Sequence, residues 1–232
     1  MPTPQVTTQR FSGGRTPEQW LKYIGSPENL ARPTYTGAVR VDNSAIIRAR
    51  YNEFELSTYQ KDALKQLAAL PNGPAKLLII GECWSSDCRR DMPTLLRVGE
   101  AAGMDVRVFN RDSAQGKEPG PQDASDTAGN GDLMQQFLNV KDGKGYQSVP
   151  VGVFFTKDMQ YLYHFTEFSA LYQKDAFLAR MRTRLPGEAD AAYQQRTGKA
   201  FVDLQGSPFF KVWACAAVDE MITHLWERVV LG

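Results

Sequence analysis

The sequence predicts an α/β layer architecture, and three observations lead there. Two short apolar runs bounded by turn signals, AKLLIIGE and VPVGVFFT, read as buried strands. Stretches with helical spacing alternate with strands, so residues 56 to about 184 run helix, strand, helix, strand, helix, strand, strand, helix. A crossover helix makes the first two strands parallel, whereas the last two, separated only by Lys157-Asp158, form a hairpin. The expected fold is a central mixed sheet flanked by helices, with helical extensions at both ends.

Residues 1 to about 15 are polar, carry Pro2, Pro4 and Gly13-Gly14, and lack hydrophobic periodicity, which reads as a loose tail. Thr16-Pro17-Glu18-Gln19 starts a helix with proline at the first helical position, and Trp20, Leu21, Tyr23 and Ile24 supply its apolar face before Gly25. Ser26-Pro27-Glu28 can open another short helix. Residues 39–54 show no clear period, although a helix over 44–51 is compatible with them. In LSTYQKDALKQLAAL, Leu56, Tyr59, Ala63, Leu64, Leu67 and Leu70 keep helical spacing until Pro71-Asn72-Gly73-Pro74 stops it.

After the strand AKLLIIGE, SSDCRRDMPTLLRVGEAAG is a helix. Ser85 or Ser86 can cap it, Asp87 suits its N-terminal dipole, and Gly103 closes it. MDVRVFNRD, residues 104–112, alternates as a strand. The Gly-, Pro-, Asp- and Ser-rich segment 113–131 reads as a long exposed loop insertion. Residues 132–139 make a short helix, VPVGVFFT a strand, and MQYLYHFTEF its hairpin partner. From Ser169 the chain reads helical through Arg184, breaks at Pro186-Gly187, and turns helical again in GEADAAYQQRTGKAF and in the amphipathic PFFKVWACAAVDEMITHLWERVVL. Three regions follow: a tail and helical extension over 1–55, an α/β domain over 56–185, and a second helical extension over 186–232.

With 232 residues and 42% hydrophobic content the chain can bury a substantial core. Its 27 basic and 26 acidic side chains nearly cancel, which removes the electrostatic case for nucleic acid or an anionic membrane as partner. No run of ~18 apolar residues could span a bilayer and no signal-type apolar stretch stands at the N-terminus, so the expected location is the cytoplasm. Cys83, Cys88 and Cys215 are too few and too unevenly spread for a disulfide framework, which points to a redox or nucleophilic role. No His/Cys spacing suggests zinc and no glycine-rich phosphate loop has the required strand and helix around it, so neither metal nor cofactor is expected. Cys215, His164 and His224 lie in apolar patterns and read as structural, with Cys215 in the core.

The stretch GECWSSDC, residues 81–88, carries the chemistry. Cys88 falls in the first turn of the helix after the buried strand, where free N–H groups and the helix dipole favour a thiolate; Arg89 and Arg90 add to this and Asp87 opposes it. The alternative is a small apolar residue packing a helix start.

LLIIGECWSSDC, the strand ending Phe109-Asn110-Arg111-Asp112, the helix DLMQQFL and the Ser148-Val149-Pro150 strand opening occur in an order that resembles the thioredoxin superfamily. The resemblance covers about residues 56–170 and is nearest to bacterial thioredoxin-like families with Glu/Asp-Trp-Cys-x-Asp-Cys after the first core strand. It implies a cis-proline loop at Val149-Pro150, in which the residue before proline offers its backbone to a bound thiol or peptide. It also puts Ser85 where the attacking cysteine stands, in Trp84-Ser85-Ser86-Asp87-Cys88. A hydroxyl cannot form the mixed disulfide of thiol exchange.

The implied activity is thiol-disulfide exchange at an atypical site: Cys83 and Cys88 as the redox pair if their Cα atoms come within ~7 Å, with Ser85 and Ser86 at the helix cap. Trp84, Val149, Pro150, Arg89 and Arg111 would hold a protein disulfide or a low-molecular-weight thiol. Two alternatives stand beside it. One is a single-centre enzyme on the same scaffold, with Ser85 activating a small thiol, as serine does at a comparable helix start in some glutathione transferases, or with Cys88 alone as a peroxidatic thiol. The other is a redox-inactive protein-binding module. The terminal helices would also suit a homodimer.

Overall fold

In the computed structural model, residues 4–34, 37–112 and 129–232 are described. Six strands form: β1 (Lys76–Gly81), β2 (Asp105–Asn110), β3 (Asn139–Lys141), β4 (Lys144–Tyr146), β5 (Val151–Phe155) and β6 (Tyr161–Thr166). Every residue of β1 after Lys76 is buried, as is all of β5, which suits strands covered on both faces. The main sheet has the order β2-β1-β5-β6. β2 runs parallel to β1, from Lys76 opposite Asp105 to Gly81 opposite Asn110. β5 is antiparallel to β1, and β6 to β5. The mixed sheet and its crossover agree with the sequence.

Ten α-helices among the described residues surround it. On the N-terminal side lie α1 (Thr8–Ser12), α2 (Pro17–Tyr23), α3 (Pro27–Ala31), α4 (Ser44–Glu53) and α5 (Thr58–Ala68). Reciprocal side-chain caps start two of them, Thr16 with Gln19 at α2 and Ser57 with Gln60 at α5. The crossover helix α6 (Ser86–Ala101) joins β1 to β2. Next comes α7 (Gly131–Met134), continued by a 3-10 turn over Gln135–Phe137, and then α8 (Lys174–Met181), α9 (Asp190–Gln205) and α10 (Pro208–Trp226). Phe11, Trp20, Ile24 and Ile47 from the first extension, and Ala217, Met221 and Leu225 from α10, share one hydrophobic core with β1, β5 and α6.

Several expectations are corrected. The N-terminal stretch is no loose tail where described: Phe11 of α1 is fully buried, and Arg15 pairs with Val108 of β2 through two backbone hydrogen bonds of 3.0 and 2.8 Å. The helix read over 132–139 ends early, and β3 and β4 form a ribbon around Asp142-Gly143, both at positive φ, a hairpin turn of the Asp-Gly kind. The stretch 169–184 is broken by Gln173 in the left-handed region. The last helix buries Phe210, Ala214, Ala217, Val218, Met221 and Leu225, but Phe209, Val212 and Trp226 are exposed, so its apolar surface is not confined to one face. The expected loop insertion falls, over 113–128, outside the described residues.

Candidate functional site

The helix start after β1 is built as the sequence suggests, with Ser85 as N-cap residue of α6 and its Oγ accepting from the Cys88 N–H at 3.4 Å. Cys88 is completely buried, and its Sγ accepts the Glu82 N–H at 3.3 Å. Burial outweighs these donors and pushes the Cys88 thiol well above the ordinary cysteine range. The expectation that the helix start favours a thiolate is thereby corrected: the dipole acts on a fully buried thiol, where desolvation is the larger effect.

Cys83 is 2% exposed, and its Sγ accepts from Asn29 Nδ2 at 3.4 Å and Arg40 Nη1 at 3.7 Å, both from the N-terminal extension. Both thiols are free. The Cys88 sulfur instead faces the end of β1, 3.2 Å from where a side chain on Gly81 would begin.

Around Glu82, buried charges gather. The Glu82 carboxylate is fully buried; it accepts from Arg40 Nη1 at 2.7 Å, Arg32 Nη2 at 3.1 Å, the Asp112 N–H at 2.9 Å and Asn110 Nδ2 at 3.4 Å. Asp112 accepts from Trp84 Nε1 at 2.9 Å and Arg111 Nε at 2.8 Å. Burial and the Glu82 charge push the Asp112 carboxyl up, partly offset by Arg111. The network ties residues 32 and 40 to the ends of β1 and β2 and holds Trp84 in place.

Above this layer lies an open cleft of about 640 Å³. Trp84, Ser85 and Ser86 line one side, Gln147, Ser148 and Val149 another, and Lys174, Leu178, Arg182 and Phe201 of the C-terminal helices a third. The Val149-Pro150 peptide is cis. Among the described residues Val149 takes part in no backbone hydrogen bond, so its peptide groups are available at the cleft. Arg111 donates to the Gln147 carbonyl at 3.1 Å and lies 5.1 Å from the Trp84 ring centre. Lys174 hydrogen-bonds Asp87. Arg90, by contrast, is turned inward onto Asp91, whose carboxyl burial pushes up to about 6 against the pull of that guanidinium.

Of the residues singled out in the sequence, Trp84, Ser85, Ser86, Arg89, Arg111 and Val149 line this cleft, whereas Cys83 and Cys88 lie beneath it. Cys215 is only half-buried, which corrects its assignment to the core: it flanks the cluster from a helix with apolar groups all round. His164 is packed between Phe137 and Tyr163 and hydrogen-bonds the Tyr161 hydroxyl at 2.7 Å; His224 stacks on Tyr163 at 4.7 Å but is exposed on its other face. Sequence reasoning missed Arg32, Arg40, Glu82 and Asp112. A carboxylate directly after the apolar run LLIIG was the one available signal, and its partners lie ~30–50 residues away in the chain. Lys174, Arg182 and Phe201 gave no signal at all. Among the described residues no group of three or more His, Cys, Asp or Glu could hold a metal ion, and no helix is long and apolar enough to cross a membrane.

A family model described as "Thioredoxin" matches residues 33–117. No curated protein matches the chain. Two solved structures share its fold. The 1.5 Å crystal structure of a protein of unknown function from Pseudomonas aeruginosa is 10% identical with a TM-score of 0.54, and an HIV epitope-scaffold is 9% identical with a TM-score of 0.50. Each comparison covers 95% of this chain and 98% of the other. At such identity the two structures speak for the fold alone. The family match over residues 33–117, the parallel β1-β2 unit and the antiparallel β5-β6 pair together show a thioredoxin-like fold.

Proposed function

We propose that the chain is a thioredoxin-fold binding protein for thiol-bearing ligands, which holds its ligand at Ser85 and Val149 and does not exchange disulfides in its resting conformation. The observation that carries this reading is the lining of the site: Ser85 and Val149, 8% and 5% exposed, line the open cleft, whereas Cys83 and Cys88, 2% and 0% exposed, do not. A thiol presented in the cleft meets a hydroxyl rather than a second thiol. That hydroxyl can hydrogen-bond the ligand sulfur but cannot form the mixed disulfide. Val149 offers free peptide groups to an extended ligand backbone, and Trp84, held by Asp112, supplies a flat apolar wall. A cytoplasmic setting would keep all thiols reduced, consistent with free cysteines.

Isothermal titration with a tripeptide thiol and its S-methyl derivative tests the reading on the wild type and Ser85→Ala. The thiol is expected to bind, with S-methylation or loss of the hydroxyl weakening it about fivefold, the loss of one modest hydrogen bond. Equal binding of thiol and S-methyl derivative would refute it.

The second reading, dithiol exchange through Cys83 and Cys88, has one observation in its favour. Glu82 joins the two: its N–H sits on the Cys88 sulfur, and Cys83 is its next residue. Both sulfurs would have to leave the core to react. Insulin reduction abolished by Cys83→Ser and by Cys88→Ser, with a reversible two-proton mass change assigned to those residues, would favour this reading over the first.

A further inference from the structure

Away from the cleft, residues of α4, of α6 and of the start of α10 line a second, smaller pocket of about 150 Å³, and no residue lines both. At ~30 Å³ per water it holds about five waters, the bulk of one tetrahedral oxyanion. Its charge is mainly positive. Arg50 from α4, Arg90 from α6 and Lys211 from α10 line it, against one acidic side chain, the exposed Glu53. Arg90 is 4% exposed and gives Nε and Nη2 to Asp91, but its buried Nη1 has no hydrogen-bond acceptor; Asp87 Oδ1 lies 3.7 Å from it, beyond hydrogen-bond reach. Arg50 gives Nη2 to the Gln205 carbonyl at 3.2 Å; its Nη1 is likewise buried without an acceptor, and it makes no ion pair among the described residues. Both guanidinium groups rest against the Phe210 ring, at 5.1 and 4.9 Å from its centre, so the two cations share one small space. Burial and the charges of Arg89 and Arg90 push the Arg50 pKa down, against the pull of Asp91 and Glu53. The start of α10 adds to the same field. No side chain caps it, because the hydroxyl of its N-cap residue Ser207, which lines the pocket, donates to the Leu204 carbonyl at 2.7 Å.

We propose that this pocket binds a phosphate or sulfate group, held by Nη1 of Arg50 and of Arg90 and by the N-terminal end of α10, with Lys211 at its rim. Donors arriving from three helices suit a tetrahedral oxyanion better than a planar carboxylate. The anion would join α4 of the first extension to α10 of the second across α6, and so fasten both to the domain. The proposal is independent of what the cleft binds. Isothermal titration of the full chain with sodium phosphate and sodium sulfate, against sodium chloride at matched ionic strength, tests it. Both tetrahedral anions are expected to bind at millimolar concentration or below and to raise the melting temperature, and chloride to do neither. Arg50→Gln should weaken phosphate at least tenfold, the loss of a charge-assisted hydrogen bond. Glu53→Gln should tighten it about twofold, a gain that damaged folding cannot produce. Phenyl phosphate binding as tightly as phosphate would assign the site to a phosphate ester, and binding of phosphate alone to the free anion. Phosphate heats equal to those of chloride, or phosphate affinity unchanged in both variants, would overturn the proposal. Arg182→Gln, an exposed position at the cleft, should leave phosphate affinity unchanged; a loss there as large as in Arg50→Gln would put the anion in the cleft and overturn it as well.

Discussion

Glu82→Gln is the change that asks most of the site's foundation. The substitution keeps the shape and one oxygen, so the bonds from Arg32, Asn110 and the Asp112 N–H can survive on that oxygen. The other end becomes an amide that faces Arg40 Nη1, donor against donor, where a 2.7 Å charge-assisted bond stood. Arg40 has no exposed side-chain surface, so no water replaces the lost partner. It keeps the Arg32 carbonyl at 3.0 Å and the Asp112 carboxylate at 3.7 Å. Breaking a buried ion pair by removing one partner costs about 3–5 kcal/mol, and the nearby Asp112 charge puts this case at the lower end, about 3 kcal/mol. That is about a hundredfold in the unfolding equilibrium. With a urea dependence of ~3 kcal/mol per molar, the midpoint should fall by about 1 M, with the slope unchanged. Because Arg32 and Arg40 come from the N-terminal extension, hydrogen exchange in residues 27–31 and 44–53 should also quicken. A loss under ~1 kcal/mol with unchanged exchange would show that the network is replaceable, and that the extension is held by its apolar contacts alone.

Further outcomes can be checked on the same chain. Gly81→Ala would place a Cβ 2.5 Å from Met92 Sδ and 3.2 Å from Cys88 Sγ, an overpacking worth about 1–3 kcal/mol; a melting temperature within a degree of the wild type would refute that packing. With an aromatic disulfide as titrant, the native protein should lose at most the Cys215 thiol quickly, and Cys83 and Cys88 only on unfolding; fast reaction of either would refute their burial. Burial lowers the His164 pKa below its unfolded value, so the unfolded chain binds that proton more readily. The stability His164 contributes is therefore complete above about pH 6.5 and declines as pH falls below it. The difference between wild type and His164→Gln should shrink from about pH 7.5 to about pH 5.5 in thermal melts, and a constant difference would contradict the assignment.

What the sequence alone determined is what local periodicity and turn chemistry encode. The apolar runs placed β1 and β5, Ser85 with Asp87 placed the start of α6, and the crossover made β1 and β2 parallel; each depends on residues a few positions apart. The hairpin at Asp142-Gly143 was equally local and was overlooked, since its three-residue strands are polar and too short to show a period. The state of the thiols was beyond the sequence. A helix start argues for a reactive Cys88, but the pKa of a thiol follows the balance between dipole and desolvation, and only tertiary packing decides how much water remains. The same holds for Glu82, whose partners Arg32 and Arg40 lie far along the chain, and for Lys174, which meets Asp87 at the cleft only through the tertiary placement of α8. Sequence fixes which groups are present near a strand end; distance and burial, set by the fold, decide whether a hydroxyl or a thiol meets the ligand.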